Sequence, residues 1–125
     1  MYGRDDDGWA DLVAAASDFL DEVAVRGALT NYSDLNAELV ERTGHRAFNF
    51  ADPAERAAIG HLLGHVVVED YPSRGYKLSA LVIYLHGNDP STGFYILARQ
   101  MGLMPATGGD KDAFWAAQTR GLFGS

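Results

Sequence analysis

An α+β fold is predicted: a helix-rich, winged-helix-like domain with a small β-sheet and extra helices at both ends. Three observations carry it. Apolar residues recur at helical spacing in several segments, one later run is rich in β-branched and apolar residues, and 125 residues with 47% hydrophobic content suffice for one core. No internal repeat or composition break divides the chain, so 1–125 reads as a single domain. It has an acidic helix over 1–27, a core over 28–103 and a C-terminal helix over 104–125.

Trp9, Leu12, Val13, Ala16, Phe19, Leu20 and Val23 lie on one face of a helix over about 8–26, with Gly27 as its stop. Leu29–Tyr32 is short enough to pair as a strand. Ser33 or Asn31 then caps a helix over about 33–43 that buries Leu35, Leu39 and Val40 and ends at Gly44. In the connection 45–51, Phe48 and Phe50 alternate as in an extended segment.

The clearest start signal is Asp52-Pro53-Ala54-Glu55: a cap, proline at the first helical position and Glu at the third. The helix is expected over 53–70, stopping before Tyr71-Pro72. It has three sides: apolar (Ile59, Leu62, Leu63, Val66), small (Ala57, Gly60, Gly64) and a polar-edged stripe (Ala54, Ala58, His61, His65, Glu69). Each interior glycine costs about 1 kcal/mol relative to alanine, so close approach by a helix or the sheet is expected there. Tyr71–Gly75 reads as a turn and Lys77–Leu85 as the best strand. His86–Gly93 reads as a loop in which Asn88 or Asp89 bonds its own turn. Helices over 94–101 and 110–120 complete the chain.

Charge is uneven. Residues 1–22 hold seven acids and one base, whereas 23–125 hold ten acids and nine bases, so most of the net charge of −7 belongs to the first helix. That disfavours a polybasic membrane binder or a nucleic-acid coat. Without cysteine, a thiol nucleophile, thiolate zinc site, disulfide or iron–sulfur cluster is excluded. No apolar run spans a bilayer, and Asp5–Asp7 is unlike a signal-peptide start, so a cytoplasmic location is expected. The triplet itself reads as a frayed, solvated terminus.

Catalytic signals are weak. Ser79 and Ser91 lack the Gly-x-Ser-x-Gly turn of a hydrolase. His61, His65 and Glu69 have the spacing to face a metal. They lack the Glu after the first His used by metalloproteases, so the stripe reads as a solvent- or partner-facing surface. Neither a cofactor nor an enzymatic activity is expected.

The segments TNYSDLNAEL, AAIGHLLG, KLSALVIYL and DPSTGF resemble an uncharacterised bacterial family with T-Y-x-x-L/I-A, I/V-G-x-x-L-G, L-S/T-A-L-V-V and P-x-x-G-F motifs. More distantly, residues 29–103 are similar to the winged-helix DNA-binding domain of alkylguanine alkyltransferases and alkyltransferase-like proteins. That resemblance implies a recognition helix at 53–70 and a wing at 71–78. The Pro-Cys-His-Arg nucleophile would fall near Lys77–Ala80, where the chain reads Lys-Leu-Ser-Ala, so transfer to a thiolate is excluded. The family's arginine finger would fall at Ala57, with Arg56 about 100° around the helix.

Two roles follow, both non-enzymatic. The first is a regulatory or interaction module whose acidic helix meets a protein partner through Asp11, Asp18 and Asp21. The alternative is a DNA-binding winged helix using Arg42, Arg46, Arg56, His61, His65, Arg74 and Lys77, weak and steeply salt-dependent because the recognition stripe carries no Lys or Arg. Exposure of Trp9, Tyr2 or Phe123 would point to a homodimer.

Overall fold

A computed structural model describes residues 3–84 and 90–124. Asn88 and Asp89 of the expected turn, the end of the expected strand at Leu85, and Tyr2 lie outside them. Among the described residues the order is α1 (Asp6–Val25), β1 (Thr30–Asn31), α2 (Tyr32–Thr43), α3 (Pro53–Arg74), a 3-10 turn (Leu78–Leu81), β2 (Val82–Ile83), α4 (Thr92–Gln100) and α5 (Lys111–Gly124). The chain is helix-rich with a small sheet, an α+β arrangement.

α1 begins earlier than expected. Asp5 caps it by accepting from the Gly8 amide at 2.6 Å, and Asp6 and Asp7 sit in the first turn, where negative charge suits the helix dipole. The Asp triplet is therefore part of a helix start. The chain is tied down from Arg4 onward, because that side chain is buried. Gly27, at φ 65°, supplies the left-handed residue after the helix. Asn31 caps α2 by accepting from the Asp34 amide at 2.8 Å, and Gly44 ends it at φ 73°. Val40, expected inside, is exposed.

α3 runs past Pro72 to Arg74 and stops at Gly75. Proline removes the bond to the Val68 carbonyl, but Val68 and Pro72 are both exposed, so solvent can serve the freed carbonyl, and the helix continues to Arg74. Residues 71–74 are thus helix, where a turn and the start of a wing were expected.

The expected strand over 77–85 is mostly a 3-10 turn. Leu78, Ser79, Ala80 and Leu81 are all buried, and α1, α3 and α5 all pack on them. A strand there would need ladder partners on both sides; helix side chains serve the backbone instead. The Trp115 indole donates to the Ala80 carbonyl at 2.8 Å, and the Gln118 amide oxygen accepts from the Lys77 amide at 2.7 Å. Among the described residues of that run, only β-branched Val82 and Ile83 form a strand. They pair in parallel with Thr30 and Asn31, and Ile83 makes an isolated antiparallel bridge with Pro90.

The core joins Trp9, Leu12, Leu20, Leu35, Leu39, Phe48, Leu62, Val66, Leu78, Leu81 and Leu122. Phe48 is fixed by a side chain imitating a strand: Asn36 donates to its carbonyl and accepts from its amide, both at 2.9 Å. Phe50 is only partly buried.

Candidate functional site: a groove along the third helix

Asp52 caps α3 by accepting from the Ala54 amide at 2.9 Å. Glu55 does not close the expected capping box. Its carboxylate is buried and takes Arg4 at 3.0 Å and Arg46 at 2.7 Å, and these two guanidinium groups, Arg4 first, hold it below the usual carboxylate range. Arg4 also lies over the Phe48 ring, 4.0 Å from its centre. This ties the start of α1 to the start of α3.

The small side of α3 departs most from expectation. Nothing lies within 4 Å of a Cβ placed on Gly60 or Gly64. Among the described residues no other element comes that close to them; they floor an open groove of two adjoining cavities. One, of about 460 Å3, lies between α3, the 3-10 turn and α4, and includes Gly60, His61, Gly64, His65, Ser79 and Phe94. The other, of about 420 Å3, is lined by Tyr32, Phe50, Arg56, Ile59 and Tyr84. Gly60, Ser91 and Gly93 belong to both.

Polar groups are few along this groove. The Trp9 indole donates to His65 Nδ1 at 2.8 Å. An indole can only donate, so a neutral His65 carries its proton on Nε2. Ser79 is 7% exposed, and its Oγ has no hydrogen-bond partner among the described residues. Ser91 caps α4, accepting from the Phe94 amide at 3.4 Å. Tyr32 stacks at a tilt on Tyr84, 5.5 Å between centres, and burial raises its hydroxyl pKa against a hydrogen bond with Ser91. Among the described residues, no group of three or more His, Asp or Glu side chains is placed to hold a metal. The polar stripe itself divides: Ala58 is buried, His65 is half-buried, and His61 and Glu69 are exposed.

The expected DNA-contacting cations do not form one basic surface. Arg42 is held by Glu22 at 2.8 Å and Glu38 at 2.9 Å, and its pKa is raised by those contacts. Arg74 is held by Asp70 at 2.6 Å and Asp21 at 2.7 Å, with the same direction and cause. Arg46 is engaged by Glu55. Arg56 donates to the Phe50 carbonyl at 2.7 Å and stays exposed.

Lys77 is a clear correction. It is 0% exposed, so it cannot reach a phosphate. Its ammonium donates to the Phe94 carbonyl at 2.6 Å and lies 4.1 Å from the Phe94 ring centre. Burial pushes its pKa down to about 7.

The expected partner-binding acids also have internal duties. Asp11 lies 3.0 Å from His45, and Asp21 holds Arg74. Asp18 is exposed and forms no ion pair among the described residues. Trp9 is buried, while Phe123 is 39% exposed. Among the described residues no helix is long and apolar enough to cross a membrane.

Ser79 lacks the sequence context of a nucleophile, and nothing near it in the sequence marks it as a binding residue. The sequence signal for the groove is the glycine pair, whose missing side chains predict a close contact and instead leave a space. Comparison of the chain with protein-family models, with curated proteins and with solved structures finds no match.

Proposed function

We propose that the chain is a non-catalytic interaction module that meets a positively charged protein partner through the outward face of α1. The observation that carries this reading is how the charges are spent. Arg42, Arg46 and Arg74 are engaged by carboxylates of the same chain, and Lys77 is buried. Asp6, Asp7 and Asp18 remain exposed on α1. A guanidinium already bonded to a carboxylate must break that bond before it can neutralise a phosphate and release its counterions. The nucleic-acid reading keeps Arg56, which is exposed at the start of α3.

In this proposal the domain is a winged-helix variant used for protein contact, with α2 and α3 as its helix pair and the wing segment absorbed into the end of α3. Exposed acids on one helix give a fast, salt-sensitive encounter more than raw affinity, which suits a regulatory contact.

The test uses the full chain as bait in extract of its source cells, with Asp7→Asn/Asp18→Asn as the variant. Both positions are exposed and neither holds an ion pair among the described residues, whereas changing Asp11 or Asp21 would disturb His45 or Arg74. The expected result is one stoichiometric basic partner, retained at low salt, released by ~500 mM salt and lost with the double variant. Retention unchanged by the variant overturns the role of α1. Saturable binding to mixed duplex DNA at ~50 mM salt, with nothing retained from the extract, returns the reading to nucleic acid.

A further inference from the structure

The groove along α3 belongs to neither the acidic face nor the ion pairs, and three independent features of it ask for an occupant. The first is the glycine pair. Gly60 and Gly64 sit inside a 22-residue helix, where alanine is the better helix former at each position, and neither needs to be glycine for space among the described residues. Their smallness serves the space outside the helix.

The second feature is Ser79. A buried hydroxyl without a partner costs roughly 1–3 kcal/mol, and the segment that carries it could bury an alanine there at no such cost. Ser79 lines the 460 Å3 cavity with its Oγ buried just beneath the wall, so a turn of the side chain about χ1 toward the cavity would let a ligand atom complete its hydrogen bond. A third feature is the character of the wall. Among the described residues no Asp, Glu, Lys or Arg lines this cavity, in a chain with 17 acids. Its polar edge includes hydrogen-bond donors, namely the Ser79 hydroxyl, the Nε2–H of His65 and the first turn of α4, beside His61, Ser91 and Gln100. The opening amides of a helix lack intrahelical acceptors and favour negative charge, and Gly93 in that turn offers the cavity backbone alone. Leu63, Val68, Ile96 and Leu97 supply an apolar wall. The volume lies in the ordinary range for small-molecule sites.

We propose that this cavity binds a small organic anion with an apolar body, its charged group met by the donors around Ser79 and its body lying over Gly60 and Gly64. The site is separate from the α1 face, so it stands or falls independently of the partner reading.

The experiment titrates the full chain with 8-anilinonaphthalene-1-sulfonate, which carries apolar rings and one sulfonate, and follows its fluorescence. Saturation at one equivalent is expected, with displacement by octanoate and not by octylammonium. Gly60→Leu places a side chain in the cavity at a position where leucine is also the better helix former. It should weaken binding at least about tenfold, the loss of one well-made contact of about 1.4 kcal/mol, while Tm holds or rises. Ser79→Ala should weaken binding about tenfold, as expected for one hydrogen bond to a charged group, with Tm unchanged or higher. Affinity within twofold of the parent in either variant, with Tm kept, overturns the proposal. So does equal displacement by octylammonium. If sedimentation shows self-association that Gly60→Leu abolishes, the groove belongs to a second copy of the chain and the ligand proposal is again overturned. A hydroxyl satisfied by solvent alone predicts no effect of Ser79→Ala on affinity, which is the first of these failures.

Discussion

Lys77 concentrates the conflict between sequence and packing in one side chain. Its ammonium is fully buried, bonded to the Phe94 carbonyl and set over the Phe94 ring, with its pKa pushed down to about 7. In the unfolded chain a lysine keeps its ordinary pKa near 10.4. Between these values the unfolded state binds more protons than the native one, so stability rises with pH over that window. Below pH 7 the native amine is protonated too, and the full cost of burying a charge remains. We expect the unfolding free energy from urea titration to increase from pH 7 to pH 9.5, and Lys77→Met to flatten the increase while raising stability at pH 7. A rise that persists in Lys77→Met would assign the effect to another group. Nothing local in Gly75-Tyr76-Lys77-Leu78 marks this lysine as internal. The groups that enclose it lie 17 residues on, at Phe94, and 41 residues on, at Gln118. Ser79 was equally illegible, because the absence of a partner is a property of the whole packing. The caps at Asn31 and Asp52 and the stops at Gly27 and Gly44 are legible because each is settled within about four residues, whereas the Ser91 cap of α4 is not anticipated.

Helices α3 and α5 give the same substitution opposite signs. At Gly60 and Gly64 a methyl group meets open space, so Gly60→Ala and Gly64→Ala should each stabilise by about 0.5–1 kcal/mol through helix propensity and reduced freedom of the unfolded chain. At Gly121, in α5, a Cβ would overlap the Tyr76 ring, and Gly121→Ala should destabilise by about 1–3 kcal/mol, as overpacking does. Thermal melts of the three variants measure both effects. A stabilising Gly121→Ala would mean that α5 does not seat on Tyr76 in solution, and the Trp115 and Gln118 bonds to the 3-10 turn would be in doubt with it. The element that sequence pattern described least well lies under this helix. Leu78–Leu81 has the apolar density of a buried strand, and periodicity cannot separate such a run from any other fully buried segment. Its β-branched residues Val82 and Ile83 do form the expected strand, and they do so against Thr30 and Asn31, near where the Leu29–Tyr32 pairing segment was expected.

Across the whole molecule, the net charge of −7 hides an ordered system of ion pairs that fastens the added first helix to the domain. Arg42 with Glu22 joins α2 to α1, Arg74 with Asp21 joins the end of α3 to α1, and Arg4 with Glu55 joins the start of α3 to the segment entering α1. The two exposed ties contribute little individually, since surface pairs are worth about 0–1 kcal/mol. Glu55 differs because its carboxylate is buried and serves both Arg4 and Arg46. Removing one member of a buried pair leaves the other charge uncompensated, at a cost of about 3–5 kcal/mol. Arg46 is half exposed, which places the expected loss for Glu55→Gln near 3 kcal/mol, or roughly 10 °C in Tm for a chain of this length. The pH dependence has the opposite sense to that of Lys77. Arg4 and Arg46 lower the Glu55 pKa in the folded state, so the carboxylate contributes stability in full above its unfolded value. That contribution is lost as pH falls through the lowered native value. The wild-type chain should therefore lose stability as pH falls below about 4.5, and Glu55→Gln should lose less over the same interval. Hydrogen exchange locates the effect. If Glu55 fastens α1 to α3, amides near the start of α1 should exchange faster in Glu55→Gln, while those of α5 should slow or quicken only in step with global stability. Uniform acceleration in both helices would make Glu55 a contributor to the core as a whole, with no particular hold on the acidic helix.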